Sequence, residues 1–298
     1  MEVTRLFDLI ENYQEKYKDC DDALSYKEDG VWKKHSFSYF SSEVMNVSHG
    51  LLHLGLNPGD KIATLSNNRP EWNFLDLGML QAGCIHVPIY PTISDADLRY
   101  ILHDAEIKMI VVSDAALYNK VISAAGNELP EKGIYTFNNV TNKNHWSEIS
   151  IAGKNNRDDV RLQSIKASIK SDDLATLLYT SGTTGVPKGV MLSHMNIISQ
   201  LLAAEHLCPV GPGGRALSFL PLNHVYERVL SYLYLFKGVS IYYAESIEKV
   251  ADNLKEVQPH IFGCVPRLFE RVYDRIVGKG SELTGIKKKL FYWSLDLG

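Results

Sequence analysis

The most informative segment of the sequence is Leu177-Leu178-Tyr179-Thr180-Ser181-Gly182-Thr183-Thr184-Gly185-Val186-Pro187-Lys188-Gly189-Val190. An apolar, strand-like run enters six small or hydroxylated residues, and a second apolar run follows Gly189. Glycines let backbone N–H groups come close to an anion, hydroxyls add donors, and the lysine adds a fixed positive charge. The pattern therefore predicts a phosphate-binding loop at residues 180–188, between two strands; we call it the phosphate loop.

Two other interpretations of this loop are less favourable. A plain hairpin connection would also use Gly, Ser, Thr and Pro, but it needs only about two to five loop residues and no closing lysine. The common loop of the P-loop NTPases requires Gly-Lys-Ser/Thr, whereas Lys188 lies between Pro187 and Gly189. The sequence therefore excludes the common NTPase motif.

The composition is that of an ordinary globular protein. The chain has 298 residues, of which 45% are hydrophobic and 22% charged, and its formal net charge is -4. No basic surplus indicates nucleic-acid binding, and no apolar run approaches the roughly 20 residues that span a bilayer. Four scattered cysteines without a CxxC pair give no sign of a metal site through sulfur, and they fit a reducing cytoplasm.

Short apolar runs alternate with amphipathic ones from about residue 60 onward. The apolar runs predict nine strands, at 61–66, 85–89, 109–113, 133–137, 174–179, 190–192, 216–220, 239–243 and 260–264. The amphipathic runs predict seven helices, at 72–82, 95–105, 115–125, 195–207, 225–236, 247–257 and 267–276. This alternation is typical of parallel sheets covered by helices.

Nine strands are many for one compact sheet, so the sequence predicts an α/β fold of two packed lobes. The first lobe is expected at about 57–207 and the second at about 208–298, with residues 1–56 packed against the second. A glycine-rich break at 211–215 separates them. The polar stretch 142–171 is expected to be a surface excursion.

The order Thr-Ser-Gly-Thr-Thr-Gly-x-Pro-Lys-Gly at 180–189 closely resembles the phosphate loop of the adenylate-forming (AMP-binding) superfamily. Three earlier segments also resemble those enzymes, and similarity covers most of residues 35–278; the segments are 54–63, 66–72 and 81–92. The chain looks most like the long-chain fatty acyl-CoA synthetases. That branch is matched by Leu-Pro-Leu-Asn-His-Val-Tyr-Glu-Arg-Val at 220–229 and by the segment 264–274.

The resemblance implies mainly parallel sheets in the αβαβα layering of the large N-terminal domain of those enzymes. It also implies an ATP-dependent acid–thiol ligase. A carboxylic acid, here a long-chain fatty acid, attacks the α-phosphorus of ATP and releases pyrophosphate, and coenzyme A then displaces AMP from the acyl-adenylate. ATP, Mg²⁺ and coenzyme A are thus the implied cofactors and co-substrates.

The resemblance also implies which residues of the phosphate loop bind the nucleotide. Glycine backbone, hydroxyl donors and a lysine point charge suit the β- and γ-phosphates. Thr180 matches a family position near the nucleotide and its Mg²⁺. The implied cofactor-binding residues are Thr180, Ser181, Gly182, Thr183, Thr184, Gly185 and Lys188.

His224 is the implied catalytic and substrate-contacting residue. Without context, a lone histidine near a helix start is more often a cap or a satisfied core residue. The matching histidine of the family lies between the carboxylate and the α-phosphate. Orientation or charge stabilisation is its expected job, because a carboxylate nucleophile has already lost its proton at neutral pH.

Other residues near the motifs have weaker implied roles. Tyr226 matches a position in the acyl-adenylate pocket, with buried helix packing as the alternative. Glu227 and Arg228 are adjacent and point to different helix faces, so nothing predicts that they pair. Trp72 and Tyr90 are expected to be core aromatics.

Several family features do not occur in this sequence: the Tyr-Gly-x-Thr-Glu segment, the ribose-binding Asp, the hinge and the C-terminal lid with its lysine. We therefore expect residues 1–298 to be a truncated N-terminal adenylate-forming domain with negligible ligase activity alone. Two alternatives stay open: an acyl-adenylating enzyme that loads a carrier protein, and a non-catalytic nucleotide-binding module. Acyl chain length, peripheral membrane contact and oligomeric state are not fixed by the sequence.

Overall fold

The computed structural model describes residues 2–180 and 185–297. The chain divides into two compact units, residues 1–261 and residues 262–298. The strands are β1 (Leu24–Glu28), β2 (Val31–His35), β3 (Lys61–Leu65), β4 (Ile85–Ile89), β5 (Ile107–Val112), β6 (Ile134–Thr136), β7 (Asn144–His145), β8 (Leu174–Thr180), β9 (Lys188–Ser193), β10 (Arg215–Ser218), β11 (Ser240–Tyr243) and β12 (Ile261–Phe262).

Twelve α-helices occur within the described residues. They are α1 (Asp8–Tyr17), α2 (Phe37–His53), α3 (Pro70–Gln81), α4 (Asp95–Asp104), α5 (Ala115–Ala125), α6 (Trp146–Asn155), α7 (Asp159–Ser168), α8 (His194–Ala204), α9 (Val225–Lys237), α10 (Val250–Val257), α11 (Pro266–Ser281) and α12 (Gly285–Leu297). The second unit consists of α11 and α12 and the residues around them. Among the described helices, none combines the length and the apolar character needed to span a bilayer.

Two sheets organise the first unit. The larger sheet has the order β7-β6-β5-β3-β4-β8-β9, and the smaller has the order β12-β10-β11-β1-β2. Neighbours in the larger sheet are parallel except β8 and β9. In the smaller sheet β1 is parallel to β11 and antiparallel to β2. The nine strands predicted from apolar runs, and the predicted α/β class with mainly parallel sheets, are confirmed.

One apolar core joins the inner faces of both sheets. Ile62 and Met109 of the larger sheet share it with Ile241 of the smaller sheet and with Phe74 of α3. A second core lies on the other face of the larger sheet, under α4 and α5. Helices therefore lie between the sheets and outside the larger one, in agreement with the expected αβαβα layering.

The prediction of a surface excursion at 142–171 is wrong. This segment contains β7, α6 and α7, and Trp146, Ile149 and Leu162 are buried in it. Helix α6 packs closely on α2 at Gly153. A Cβ at this position would overlap the carbonyl oxygen of Asn46, so the close approach requires glycine. A segment with few apolar residues thus buries a narrow face, since glycine lets the helix backbones approach.

Candidate functional site

The two ends of the phosphate loop face each other across an antiparallel strand pair. Thr180 ends β8, Lys188 begins β9, and their Cα atoms are register partners. Gly185 has a φ of +82°, and both it and Lys188 are exposed. The Lys188 side chain makes no ion pair or hydrogen bond with any described residue, so its charge is available to a ligand. Four predicted residues lie outside the described residues: Ser181, Gly182, Thr183 and Thr184.

His224 caps helix α9. Its Nδ1 accepts a hydrogen bond from the backbone N–H of Tyr226 at 3.2 Å, and its ring is exposed. Because Nδ1 is the acceptor, a neutral His224 carries its proton on Nε2, which is then a donor. The geometry confirms a cap, and it leaves Nε2 able to donate to an anionic group. Tyr226 is 43% exposed, so the alternative of buried helix packing is wrong for its side chain.

The turn before His224 is held by the end of β3. The Asn68 side chain donates to the Leu220 carbonyl oxygen at 2.6 Å and accepts from the Leu222 N–H at 2.9 Å. Asn223 is buried and donates to the Ser66 carbonyl oxygen at 3.1 Å. The His224 turn is therefore fixed to the carboxyl end of a strand of the larger sheet.

Two cavities connect this turn with the phosphate loop. One, of about 230 Å³, is lined by Thr180 and Pro187. The other, of about 350 Å³, is lined by Pro221 and Asn223. Both cavities share Tyr90 and Thr92, which follow β4. The structure thus brings the loop ends and the His224 turn to one edge, where β3, β4, β8 and β10 end.

The two aromatic predictions have different outcomes. Trp72 is fully buried, as predicted. Tyr90 is half-buried and lines both cavities, so its predicted core position is wrong. A larger groove of about 670 Å³ lies along α4 and α5 and contains no predicted site residue. We therefore place the candidate site at the strand ends, where the predicted residues lie, and not in this larger groove.

A fully buried network anchors α9 to the larger sheet. Arg228 donates to Asp76 of α3 at 2.5 Å and to Thr176 of β8 at 2.8 Å. Asp76 also contacts His86 Nδ1 at 2.7 Å and accepts from the Tyr232 hydroxyl at 2.5 Å. We call these five residues the buried network. Its Thr176 lies on the strand that ends at Thr180, and its Arg228 on the helix that begins after His224.

The charges of the buried network balance each other. Burial alone would raise the pKa of Asp76, but the Arg228 charge and the hydrogen bonds from His86 and Tyr232 outweigh it and lower the pKa. Burial lowers the pKa of His86, so its imidazole is neutral. The network therefore contains one carboxylate and one guanidinium, and each has several hydrogen-bond partners.

Glu227 is a second buried ionisable group on α9. Its side chain is only 1% exposed, and burial raises its pKa to about 8, with a hydrogen bond to Ser218 acting in the opposite direction. Neither Glu227 nor Arg228 was predicted to be buried. A signal was present, because Arg228 lies four residues before Tyr232 and seven before Leu235, which places all three on one helix face.

Within residues 2–180 and 185–297, no group of three or more His, Cys, Asp or Glu side chains could hold a metal ion. Mg²⁺ commonly uses one or two protein ligands and the phosphates of its nucleotide. A single hydroxyl such as that of Thr180 is compatible with that mode.

Comparison with known proteins agrees with this geometry. The AMP-binding enzyme family matches residues 11–291. The chain belongs to the AMP-binding enzyme family. The matched segment includes both ends of the phosphate loop, the His224 turn and the buried network.

The chain is similar to curated proteins that differ in the acceptor of the acyl group. The long-chain-fatty-acid–CoA ligase FadD15 of Mycobacterium bovis is 31% identical over 264 residues, which cover 87% of this chain and 44% of that protein. The long-chain-fatty-acid–[acyl-carrier-protein] ligase AEE15 of Arabidopsis thaliana is 29% identical over 265 residues, covering 82% of this chain and 35% of that protein. The chain thus spans less than half of the length of these relatives.

A solved structure supports the fold. The long-chain-fatty-acid-CoA ligase FadD1 from Archaeoglobus fulgidus superimposes with a TM-score of 0.78. The match has 20% sequence identity and covers 92% of this chain and 54% of that one. At 20% identity the likeness shows that the two chains share a fold, and it shows nothing beyond the fold.

Proposed function

We propose that this chain forms the phosphate-binding part of an ATP-dependent acid–thiol ligase that activates a long-chain fatty acid and transfers it to coenzyme A. One observation carries the proposal: the ends of the phosphate loop and the turn that leads to His224 lie at one edge of the sheets and line two adjoining cavities. Membership of the AMP-binding family and the long-chain relatives support it.

In this proposal the chain contributes mainly positioning and electrostatic stabilisation. Lys188 neutralises charge on the β- and γ-phosphates, and the Thr180 hydroxyl together with Ser181, Gly182, Thr183, Thr184 and Gly185 holds the nucleotide. His224 donates from Nε2 to the carboxylate or to the α-phosphate as charge grows in the transition state. Mg²⁺, held by Thr180 and the nucleotide, would offset phosphate charge when bound.

The lobe boundaries, the role of Tyr226 and the cellular compartment are also proposed. The first lobe is proposed at about 57–207 and the second at about 208–298, with residues 1–56 against the second. Tyr226 is proposed to line the acyl-adenylate pocket, which its exposure allows. The four unpaired cysteines favour a reducing compartment, and we propose the cytoplasm.

A carrier protein is the second candidate acceptor for the acyl group. The similarity to an acyl-carrier-protein ligase supports this candidate. Both candidates share the adenylation step and differ only in the thiol that displaces AMP.

The test is acid-dependent ATP–pyrophosphate exchange by the complete gene product, with fatty acids of several chain lengths. We expect exchange with long-chain acids, and a loss of about 100-fold in Lys188→Ala, because one phosphate-neutralising charge is removed. Thioester formation measured with coenzyme A and with a carrier protein then separates the two acceptors. No exchange with any acid, or full exchange by Lys188→Ala, would contradict the proposal.

A further inference from the structure

Strand β9, which carries the Lys188 end of the phosphate loop, is the edge strand of the larger sheet. Among the described strands, β8 is its only partner. Val190 is 42% exposed and Met191 66% exposed, so little burial stabilises the strand. An edge strand with one neighbour and exposed side chains is weakly held in place. The position of Lys188 therefore depends on contacts made by β8.

Tyr179 makes one of these contacts. It is the register partner of Gly189, the residue after Lys188. A Cβ on Gly189 would lie 3.2 Å from Cζ of the Tyr179 ring, so the ring lies over the glycine. Aromatic rings stabilise edge glycines in this way, because the ring covers a backbone that has no side chain of its own.

The far end of the Tyr179 ring is attached to a helix. Its hydroxyl donates to Asp104 Oδ2 at 2.5 Å, while the Tyr100 hydroxyl donates to Oδ1 of the same carboxylate at 3.1 Å. Burial and the bond to Asp104 raise the pKa of Tyr179, so its hydroxyl keeps its proton. Asp104 is the last residue of α4, where the helix dipole disfavours a carboxylate. The two hydroxyls compensate for that placement.

We propose that Tyr179 is a positioning residue for the phosphate loop, holding the Lys188 end of the loop against α4 through Gly189 on one side and Asp104 on the other. The expected effect of Tyr179 on ATP binding rests on the proposed function, whereas its effect on the position of β9 does not. Tyr179 does not itself contact substrate in this proposal. It fixes the backbone of β9 at Gly189, the residue that follows Lys188. Thr180, which follows Tyr179 in β8, is the register partner of Lys188.

The cluster contains its own control. Tyr100 and Tyr179 donate to the same carboxylate, but Tyr100 lies on α4 with Asp104, whereas Tyr179 lies on the loop strand. Tyr100→Phe therefore removes a hydroxyl bond within one helix, and Tyr179→Phe removes the bond that ties the loop strand to that helix. Both substitutions keep the ring and remove one oxygen atom.

The first measurement is hydrogen–deuterium exchange on the 298-residue chain without nucleotide. We expect exchange in the peptides covering 185–193 to be about fivefold faster in Tyr179→Phe than in the wild type, and unchanged in Tyr100→Phe. Asp104→Ala should give the same increase, and the double variant Tyr179→Phe/Asp104→Ala should add nothing. Equal exchange in the wild type and Tyr179→Phe overturns the proposal.

The second measurement uses the complete gene product. Tyr179→Phe should raise KM for ATP about fivefold and leave KM for the acid and the melting temperature nearly unchanged. A rise in both KM values, or the same rise in Tyr100→Phe, overturns a specific role for Tyr179. If the wild type lacks acid-dependent exchange, the proposed function fails, and the deuterium measurement still decides whether Tyr179 holds the loop strand.

Discussion

Two segments carry the candidate site, and the protein holds them in opposite ways. Helix α9, which follows His224, is attached by the buried network, in which Arg228 and Asp76 are both about 1% exposed or less. Strand β9, which follows the phosphate loop, has exposed side chains and pairs with one of the described strands, β8. The buried Arg228–Asp76 ion pair thus fixes the His224 side of the site, and the half-buried Tyr179 holds the Lys188 side.

This difference has an energetic meaning. Breaking a buried ion pair leaves an uncompensated charge in a low-dielectric environment, whereas an exposed residue that loses a contact is solvated again. Substitutions in the buried network of α9 should therefore lower the free energy of unfolding. Substitutions on β9 should affect ligand binding and leave the free energy of unfolding nearly unchanged.

The largest effect is expected from Arg228→Met. The substitution keeps the length of the side chain but leaves the Asp76 carboxylate without its cation, which should lower the free energy of unfolding by about 3–5 kcal/mol. Urea denaturation measures it. Arg157→Met is the matched control, because Arg157 pairs with Asp159 at 2.9 Å with both side chains at least half exposed. Similar losses in the two variants would contradict the contrast.

His224 should separate the function of its segment from its fold. His224→Asn keeps a capping side chain at the start of α9 but lacks the Nε2 donor. We expect acid-dependent exchange to fall about 100-fold in both His224→Asn and His224→Ala, equivalent to about 2.7 kcal/mol. Only His224→Ala should also lose about 1 kcal/mol of stability. Normal activity in His224→Asn would reduce His224 to a cap.

Glu227 should give α9 a pH-dependent stability. Its pKa is about 8 in the folded protein and 4.5 ordinarily, so the folded state keeps a proton that the unfolded chain releases. Stability present below pH 4.5 is therefore lost as the pH rises towards 8, by up to about 1.4 kcal/mol per pH unit.

Glu227→Gln is the variant that tests this dependence, since glutamine has the same shape and does not ionise. Its unfolding free energy at pH 5, 6.5 and 8 should fall less steeply than that of the wild type. Burial lowers the pKa of His194 to about 4, which removes stability as the pH falls below 6.5. That contribution is common to both proteins and cancels in the difference. Parallel pH profiles would show that Glu227 is not protonated.

The smallest effect is expected on β9. Met191→Ala removes a side chain that is 66% exposed and should change the unfolding free energy by less than about 0.5 kcal/mol. Met109 of β5 is fully buried, and Met109→Ala should lose about 2–5 kcal/mol. A large loss in Met191→Ala would mean that β9 is covered in the native protein.

The sequence predicted those parts of the molecule that apolar runs encode. Strands such as β4 and β8 are apolar enough to be recognised, and the phosphate loop follows one of them. The hairpin of β1 and β2 was not predicted, because only two of its residues, Leu24 and Ser25, are buried and neither strand has an apolar run. Helix α6 was not predicted either, because it buries few large apolar residues, Trp146 and Ile149 among them, and close glycine contacts bring it against α2.

The site was predictable where a motif carries it and not where tertiary packing does. Thr180, Lys188 and His224 were identified from local order. Arg228 was not, because a charged side chain is normally solvated and its partner Asp76 lies 152 residues away. Tyr179 was read only as strand, since its bond to Asp104 depends on how α4 packs.

The parallel pairing of β1 with β11 has a consequence for synthesis of the chain. Leu24 pairs with Ile241, so β1 is synthesised roughly 200 residues before its partner strand β11 leaves the ribosome. At about 5–20 residues per second, translation of that interval takes roughly 10–40 s. During this time the β1–β2 hairpin can form while the other side of β1 has no partner. Nascent chains that stall before β11 are therefore expected to aggregate through β1 unless a ribosome-associated chaperone covers it.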